Sequence, residues 1–547
     1  MPSLMKSKSD QTETKLRGGY YTDEEIAIFL LRWGLGGGAE RILEPGCGNG
    51  NFLAALRHLN TSDLSRVDAY EIDPDEASVA RRRASPVEGV QTAIHVDDYV
   101  KRSALQLQNP ERYDGVVGNP PFVRYQYLDD DTQMYAKTIF EYYGLGFTHH
   151  VGLWVPFVVA ATAQLKKGGR LAMVLPAGLL HVRHARSLRN YLVEQCSRLL
   201  VVDPKAIWFE QTLQGAVLLL AEKKRGREQS QGVSIVRAKD KEFAQQAPMT
   251  YFESSEFVKG KLLERNWMRA LLSAGERRAL LSAKWEYEAY RFGDIAEVFR
   301  GIVTGANNFF LVPDNTVVEY NLGEWAHPNF ASSQHVPGVV YDRAVHEQNT
   351  EKGLPTNLIW FEDVSGTENL PAGPTKYVEK GKKDGFHERK KCRVRDPWFE
   401  LPPVRATQLA IPRRCQHFPR LIYNKYEAFS TDTAFHITSE SYPPQSLSFS
   451  FVNSLTALSA EIEGRHYGGG VLELVTSEIE ELLVPKPTGT EKDVYELDRM
   501  VRDDQDGAPL LMTQDENVLE TIGMPREQIN ALHSGWRRLR GRRQRND

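Results

Sequence analysis

The segment Arg41-Ile-Leu-Glu44-Pro45-Gly46-Cys47-Gly48-Asn49-Gly50-Asn51-Phe52-Leu-Ala-Ala-Leu56-Arg-His-Leu59 reads as strand, glycine-rich turn and helix. Its apolar run ends in an acid and a proline, and Phe52, Leu56 and Leu59 then recur at helical spacing. Such a turn lets backbone approach a nucleotide-like ligand closely. Glu71 lies about 20 residues on, at the end of the strand-like run from Val67 to Ile72, where a carboxylate can hold ribose hydroxyls. A dinucleotide site competes, but G-x-G-x-x-G is not met: Asn51 stands where the third glycine belongs, and counting from Gly48 and Gly50 reaches Leu53. Asp97 and Asp98 close a third strand-like run, where a carboxylate can accept from an adenine amino group.

The apolar run Tyr113 to Gly118 leads into Asn119-Pro120-Pro121-Phe122. Two prolines fix φ twice, so this turn holds its acceptors still. An exocyclic amine such as adenine N6 is a poor nucleophile because its lone pair is delocalised into the ring. Two acceptors on its hydrogens, Asn119 Oδ1 and the Pro120 carbonyl, would push the nitrogen towards tetrahedral geometry and free that pair. Phe122 is placed to stack on the base they hold.

Together these pieces resemble the Rossmann-like S-adenosylmethionine-dependent methyltransferases, and specifically the γ class of amino-methylating DNA enzymes. Gly18-Gly-Tyr-Tyr21-Thr22 resembles the element of that class that contacts the methionine end of the cofactor. Glu44-Pro45-Gly46 resembles its glycine motif, Glu71-Ile72 its ribose motif and Asp98-Tyr99 its adenine motif. Asn119 to Phe122 matches the catalytic N-P-P-[FYW] tetrapeptide, and Gly168 to Pro176 a later core strand. Trp208-Phe209-Glu-Gln-Thr-Leu-Gln-Gly-Ala-Val217 resembles the motif whose aromatic residue packs on the other face of a flipped adenine, which gives that role to Phe209. The resemblance implies a site-specific adenine-N6 DNA methyltransferase, the modifying half of a restriction-modification system. It also implies S-adenosylmethionine as cofactor, double-stranded DNA as partner and a cognate endonuclease encoded separately. Cytosine N4, guanine N2 of RNA and protein glutamine are alternative amino substrates for the tetrapeptide. A non-catalytic DNA-binding module is the alternative from another class, disfavoured by the intact Glu44, Glu71, Asp98 and Asn119.

With 547 residues the chain has room for two or three domains. The expected division is a catalytic α/β domain over 1–230, a connecting region over 231–285, a mixed α/β target-recognition domain over 286–490 and a C-terminal extension over 491–547. Cys47, Cys196, Cys392 and Cys415 show neither a disulfide framework nor zinc spacing, which fits a reducing cytoplasm. His149-His150 and His181-x-x-His184 lack a third ligand at suitable spacing, so no metal is expected. The apolar stretch Leu153 to Leu165 is too short to span a bilayer and predicts a core helix, so no membrane partner is expected. Thr22-x-x-Glu25 before Ile26, Phe29, Leu30 and Trp33 predicts a capped amphipathic helix.

Net charge is −4, so DNA binding needs a local patch. Lys380 to Lys425 holds 13 Lys and Arg against 4 Asp and Glu, interleaved with Tyr377, Phe386, Trp398 and Phe399. Arg389, Lys390, Arg393, Arg395 and Trp398 are the candidate contacts, for tracking phosphates and splaying bases on rings; a solvated face is the alternative. Phe292 to Gly305 resembles the opening of the γ-class recognition domain, and Gly464 to Leu474 a glycine-rich element near its end. There Arg465, Gly468, Gly469 and Gly470 suit a close backbone approach, with DNA phosphate and a plain flexible loop both open. Trp536 to Arg545 is more basic still and is expected to be a disordered tail.

Overall fold

The computed structural model describes residues 21–545, apart from 85–86, 149–150, 206–214, 261–262, 264, 363, 365, 404, 468 and 505. The chain divides into two compact units, Met1–Leu271 and Leu272–Asn546.

The first unit is built on one eight-stranded sheet. Its strands are β1 (Arg41–Glu44), β2 (Arg66–Glu71), β3 (Gln91–Val96), β4 (Tyr113–Gly118), β5 (Leu165–Pro176), β6 (Cys196–Pro204), β7 (Ala216–Lys223) and β8 (Val233–Ala238). They lie in the order β3-β2-β1-β4-β5-β7-β6-β8. β7 runs antiparallel to β5 and β6, while the other neighbours pair parallel. The order reverses direction between β1 and β4. In open α/β sheets, ligands bind at such a switch point, outside the carboxyl ends of the strands.

Helix α1 (Glu24–Gly34) buries Ile26, Phe29, Leu30 and Trp33. The sequence assigned its cap to Thr22, but Asp23 caps it, accepting from the Glu25 N–H. The capping function therefore starts one residue later, and Thr22 is left for other contacts. α2 (Asn51–Ala55) follows the glycine turn, and α3 (Pro74–Arg83) and α4 (Tyr99–Leu105) are capped by Asp73 and Asp98. α5 (Asp130–Tyr142) precedes α6 (Trp154–Gln164), which is buried at every position and is the core helix foreseen at Leu153 to Leu165.

The sheet does not end near residue 230. β8 extends it beside β6, and the chain beyond packs back onto α1: Trp33 stacks on Phe252 at 4.2 Å and Phe29 meets Phe243 edge-on at 4.9 Å. These aromatic contacts make residues up to 271 part of the first unit instead of a connector. Charge at 222–230 marks a surface turn between two strands, which sequence alone reads as a boundary.

The second unit is mixed α/β with several small sheets. One holds Glu297–Arg300, Ala434–Thr438, Leu409–Pro412 and Ile422–Tyr423 in that order; another holds Leu311–Val312, Asn357–Ile359, Ala326–Phe330 and Phe429–Ser430. The expected disordered tail is instead a helix, Arg526–Gln544, with Ile529, Leu532, Trp536 and Leu539 buried. Trp536 is 0% exposed, and truncating such a side chain to alanine costs about 3–5 kcal/mol. Its arginines are largely consumed at home: Arg538 pairs with Glu276, Arg540 with Asp506 and Arg543 with Glu461.

Candidate active site at the carboxyl ends of the strands

The carboxyl ends of β3, β2, β1 and β4 bring Asp98, Glu71, Glu44 and Asn119 to one edge of the sheet, in the order of the strands. Glu44 ends β1. It is 1% exposed, and neither carboxylate oxygen has a hydrogen-bond partner among the described residues. Burial, and then the charge of Glu71, hold its carboxyl well above the usual carboxylate range. An unsatisfied buried acid is costly, and it leaves acceptor capacity open to donors from outside.

Glu71 ends β2. Its Oε2 accepts from the Gly48 N–H at 2.8 Å and its Oε1 from the Asp73 N–H at 2.9 Å. Burial raises its pKa, opposed by those two bonds. Each carboxylate oxygen still has acceptor capacity beyond one bond. The bond to Gly48 needs the turn to fold back on β2, and Gly48 and Gly50 do so at φ +49° and +82°. A side chain at Gly50 would also collide with Ala80 of α3. Ile72, beside Glu71, leaves 66% of its surface exposed.

Asp98 caps α4 through the Val100 and Lys101 N–H groups, and burial raises its pKa. The Tyr99 side chain points away into the core, 2% exposed, with its hydroxyl donating to Gln164 Oε1 at 2.8 Å. Of the Asp98-Tyr99 pair, only Asp98 therefore offers a side chain at this edge. Tyr21, 47% exposed, donates to Glu76 Oε1 at 2.8 Å and lies along Gly48. Pro45 packs against Gly118, joining the glycine turn to the turn that follows β4.

In that second turn Pro120 is buried and Asn119, Pro121 and Phe122 are half-buried. Asn119 Nδ2 donates to Thr22 Oγ1 at 3.2 Å. No described backbone N–H bonds the Pro120 carbonyl. Phe122 leans on the hydrophobic core that includes α1. Phe209 lies outside the described residues.

Sequence reasoning missed two contributors. Asn51 Nδ2 donates to the Thr22 carbonyl at 2.8 Å, and Arg83 Nη1 donates to Asn51 Oδ1 at 2.7 Å. The signal was present: Asn51 is the residue that breaks the glycine pattern.

In the second unit the candidate DNA contacts separate into two groups. Arg389, Lys390 and Arg393 are exposed, as are Lys382, Lys383 and Lys391. Arg395 instead donates to the carbonyls of Thr304 and Val303 at 2.8 and 2.6 Å, and Arg465 to Glu478 at 2.8 Å. The interleaved aromatics do not splay outward. Tyr377 stacks on Phe309 at 4.8 Å, Trp398 meets the same ring at 4.7 Å, and Phe399 is 2% exposed. These rings build a core of the unit because each buries more apolar area there than a solvated face would allow. Gly469 and Gly470 adopt φ +79° and +71°, and a side chain on Gly470 would come 3.1 Å from the Cα of Gln544. The backbone that approaches there is the chain's own last helix. Gly468 lies outside the described residues.

No helix among the described residues is long and apolar enough to cross a membrane, and no group of three metal-ligating side chains gathers among them.

A family model described as N-6 DNA Methylase matches residues 4–260, and one described as the C-terminal domain of the Type II methyltransferase M.Eco57I matches residues 264–519. The Type II methyltransferase M.AccI of Acinetobacter calcoaceticus is 22% identical over 392 residues, covering 70% of this chain and 68% of that protein. M.XamI of Xanthomonas campestris pv. amaranthicola is 23% identical over 486 residues, covering 86% and 85%. Among solved structures, a nuclease-deletion mutant of the Type ISP restriction-modification enzyme LlaGI aligns over 89% of this chain and 47% of its own, at TM-score 0.48 and 13% identity.

Proposed function

The chain belongs to the γ-class N6-adenine DNA methyltransferases of Type II restriction-modification systems, and on that premise we propose how its residues divide the work. Family and fold imply S-adenosylmethionine as the methyl source. The residues present fit it: the buried, unsatisfied Glu44 calls for donors that a zwitterionic nucleoside ligand carries, and the glycine turn leaves room for its backbone approach. When bound, the cofactor supplies an electrophilic methyl group on a sulfonium.

Glu71 accepts from ribose hydroxyls, Asp98 from the adenine amino group, and the exposed face of Ile72 covers the adenine ring. Glu44, Pro45, Gly46, Tyr21 and Thr22 line the remainder. The target adenine is flipped from the duplex at an unstacking cost of a few kcal/mol. Phe122, with Phe209 assigned from its motif, stacks on the base and returns roughly 1–3 kcal/mol per ring. Asn119 Oδ1 and the Pro120 carbonyl accept the two N6 hydrogens and aim the lone pair at the methyl. Transfer then needs no covalent enzyme intermediate, and the acceleration comes largely from positioning. The proton leaves to solvent after transfer.

Double-stranded DNA is held by the exposed cations Lys382, Lys383, Arg389, Lys390, Lys391 and Arg393. Arg395, Arg465 and Trp398 support that unit from within. A cognate endonuclease is a separate chain, and the four free cysteines suit the reducing cytoplasm.

The observation that carries this reading is the convergence of Asp98, Glu71, Glu44 and Asn119 on adjacent strand ends. Its test is sequencing of modified bases in DNA from a host expressing the chain. N6-methyladenine at one recurring site is expected from the natural chain, and more than a tenfold lower transfer rate, about 1.4 kcal/mol of lost barrier stabilisation, from Asn119→Ala. A substituted chain that methylates at the natural rate would remove Asn119 from the chemistry.

A further inference from the structure

We propose that Glu76 is a positioning residue for the cofactor, holding the Tyr21-Thr22 segment against the glycine turn through the Tyr21 hydroxyl; the proposal rests on that turn receiving S-adenosylmethionine. Glu76 stands at the third position of α3, after the Asp73 cap. A glutamate there ordinarily reaches back to the N–H of the cap residue. That N–H already donates to Oε1 of Glu71, the last residue of β2. Glu76 reaches instead across 55 residues of sequence, and its Oε1 accepts from the Tyr21 hydroxyl at 2.8 Å. Its Oε2 is buried and has no partner, so among the described residues the phenol alone offsets what this half-buried carboxylate loses in leaving water. Burial, and then the bond to Glu76, push the pKa of the Tyr21 hydroxyl up to about 12, so it keeps its proton and donates at any pH near neutrality.

The residues of α3 that serve the turn lie on one stripe. Glu76, Ala80 and Arg83 recur at i, i+4 and i+7, the spacing of a single helix face. Ala80 is 0% exposed and lies against Gly50, where a side chain would come 2.8 Å from its Cα. Arg83 Nη1 donates to Asn51 Oδ1, and Asn51 Nδ2 donates to the Thr22 carbonyl. The helix thus meets the turn at its middle and grips residues 21 and 22 from its two ends. Gly48 is held from two sides: its N–H donates to Glu71 Oε2, and the Tyr21 ring lies 3.7 Å from where a side chain would begin. A wall fixed in this way is in place before a ligand arrives, so binding loses no entropy in ordering it. Cutting the Tyr21 bond would loosen that wall and leave the turn after β4 untouched.

The full chain carrying Glu76→Ala, Glu76→Gln, Tyr21→Phe, or Tyr21→Phe and Glu76→Ala together, is compared with the natural chain and with Glu71→Ala. S-adenosylmethionine affinity is measured by calorimetry, beside thermal unfolding and single-turnover methyl transfer at saturating cofactor and DNA. Glu76→Ala should weaken the cofactor by about tenfold, the loss falling on affinity and not on the rate at saturation. Glu76→Gln keeps an acceptor for the phenol and should stay within about threefold of the natural Kd. Tyr21→Phe keeps the ring and should weaken the cofactor by about fivefold or more. The double variant should bind within about twofold of the weaker single one, since one bond can be lost only once. A Glu76→Ala chain that binds within about twofold of the natural one while Glu71→Ala binds weakly overturns the proposal and leaves the cofactor site standing. Losses that add in the double variant overturn the route through Tyr21. Failure of Glu76→Gln to rescue also sinks it, because the charge of Glu76 would then explain the loss, and so does an equal fall in affinity and saturated rate. A natural chain that binds no S-adenosylmethionine overturns the reading beneath and the proposal with it. If Glu76→Ala does not fold, Tyr21→Phe, at a side chain in contact with solvent, carries the test, and unchanged affinity overturns the strap.

Discussion

Glu44 in the first unit and Glu461 in the second are both carboxylates out of contact with water, 1% and 0% exposed. Glu461 faces Arg543, which donates to both of its oxygens through Nε and Nη2 at 2.6–3.1 Å, and the two side chains bury each other completely. Glu44 faces no donor among the described residues. Burial of a charge is tolerated where hydrogen bonds replace water. The paired acid therefore belongs to the scaffold, and the unsatisfied one suits the cofactor site proposed above. The same contrast sorts the cations of the second unit, where Arg395 and Arg465 are bonded within the chain while Lys390 and Arg393 face solvent.

The hardest blow to this comparison is Glu461→Ala, which leaves Arg543 buried without its acid. Unfolding of the full chain in urea should show the second unit destabilised by about 3–5 kcal/mol, with cofactor affinity unchanged. Replacing both partners by apolar side chains of similar volume should recover most of that loss; if it does not, the pair does more than fill its own cavity. Next in size is Glu71→Ala. Loss of a charged acceptor for ribose hydroxyls should weaken S-adenosylmethionine binding by about 1.5–3 kcal/mol, or tenfold and more in Kd, read by calorimetry. A shift under about twofold would return Glu71 to the role of a brace for Gly48.

Glu44→Gln sharpens the contrast through pH. A raised folded-state pKa means that Glu44 favours folding while protonated and loses that contribution as pH rises through its folded value. The ligand-free glutamine variant should therefore gain stability over the natural chain as pH rises from the ordinary carboxylate range, by about 1.4 kcal/mol for each unit of elevation. A pH-independent difference would mean that the site supplies its own donors. The smallest effect belongs to the exposed cations. Arg393→Glu should reduce DNA affinity and lower the log–log salt slope by about 0.9 for the lost phosphate contact, whereas Arg395→Met should act on stability alone. Equal slopes for the two would place the DNA-contacting surface elsewhere.

The first unit was legible because its signals are local. Each of Glu44, Glu71, Asp98 and Asn119 ends a strand-like run or follows it within two residues, and a parallel sheet sets the ends of such runs side by side. The tetrapeptide alone left adenine N6 and cytosine N4 both open, and the N-6 DNA Methylase match decides for adenine. Thr22 was assigned the wrong local job, since Thr and Asp at adjacent positions compete for one cap and spacing does not rank them. The second unit was less legible for a physical reason. A basic residue looks the same in sequence whether it faces solvent, as Arg393 does, or donates to a carbonyl, as Arg395 does. Six Arg residues in the last helix likewise hid the apolar face formed by Ile529, Leu532, Trp536 and Leu539.

The anchoring of Arg543 sets an order of events during synthesis. All eight strands of the first unit have emerged once Ala238 is made, and its aromatic cover is complete by Phe252. The second unit cannot neutralise Glu461 or seat Gly470 against its last helix until some three hundred residues later, when Arg543 arrives. Domains fold as units from the N-terminus as the chain grows. A ribosome that stalls between those points would thus display a finished eight-stranded unit tethered to an open partner. On the proposed division of labour, the capacity to carry a methyl group is in this way older, within each molecule's lifetime, than the capacity to choose where to put it.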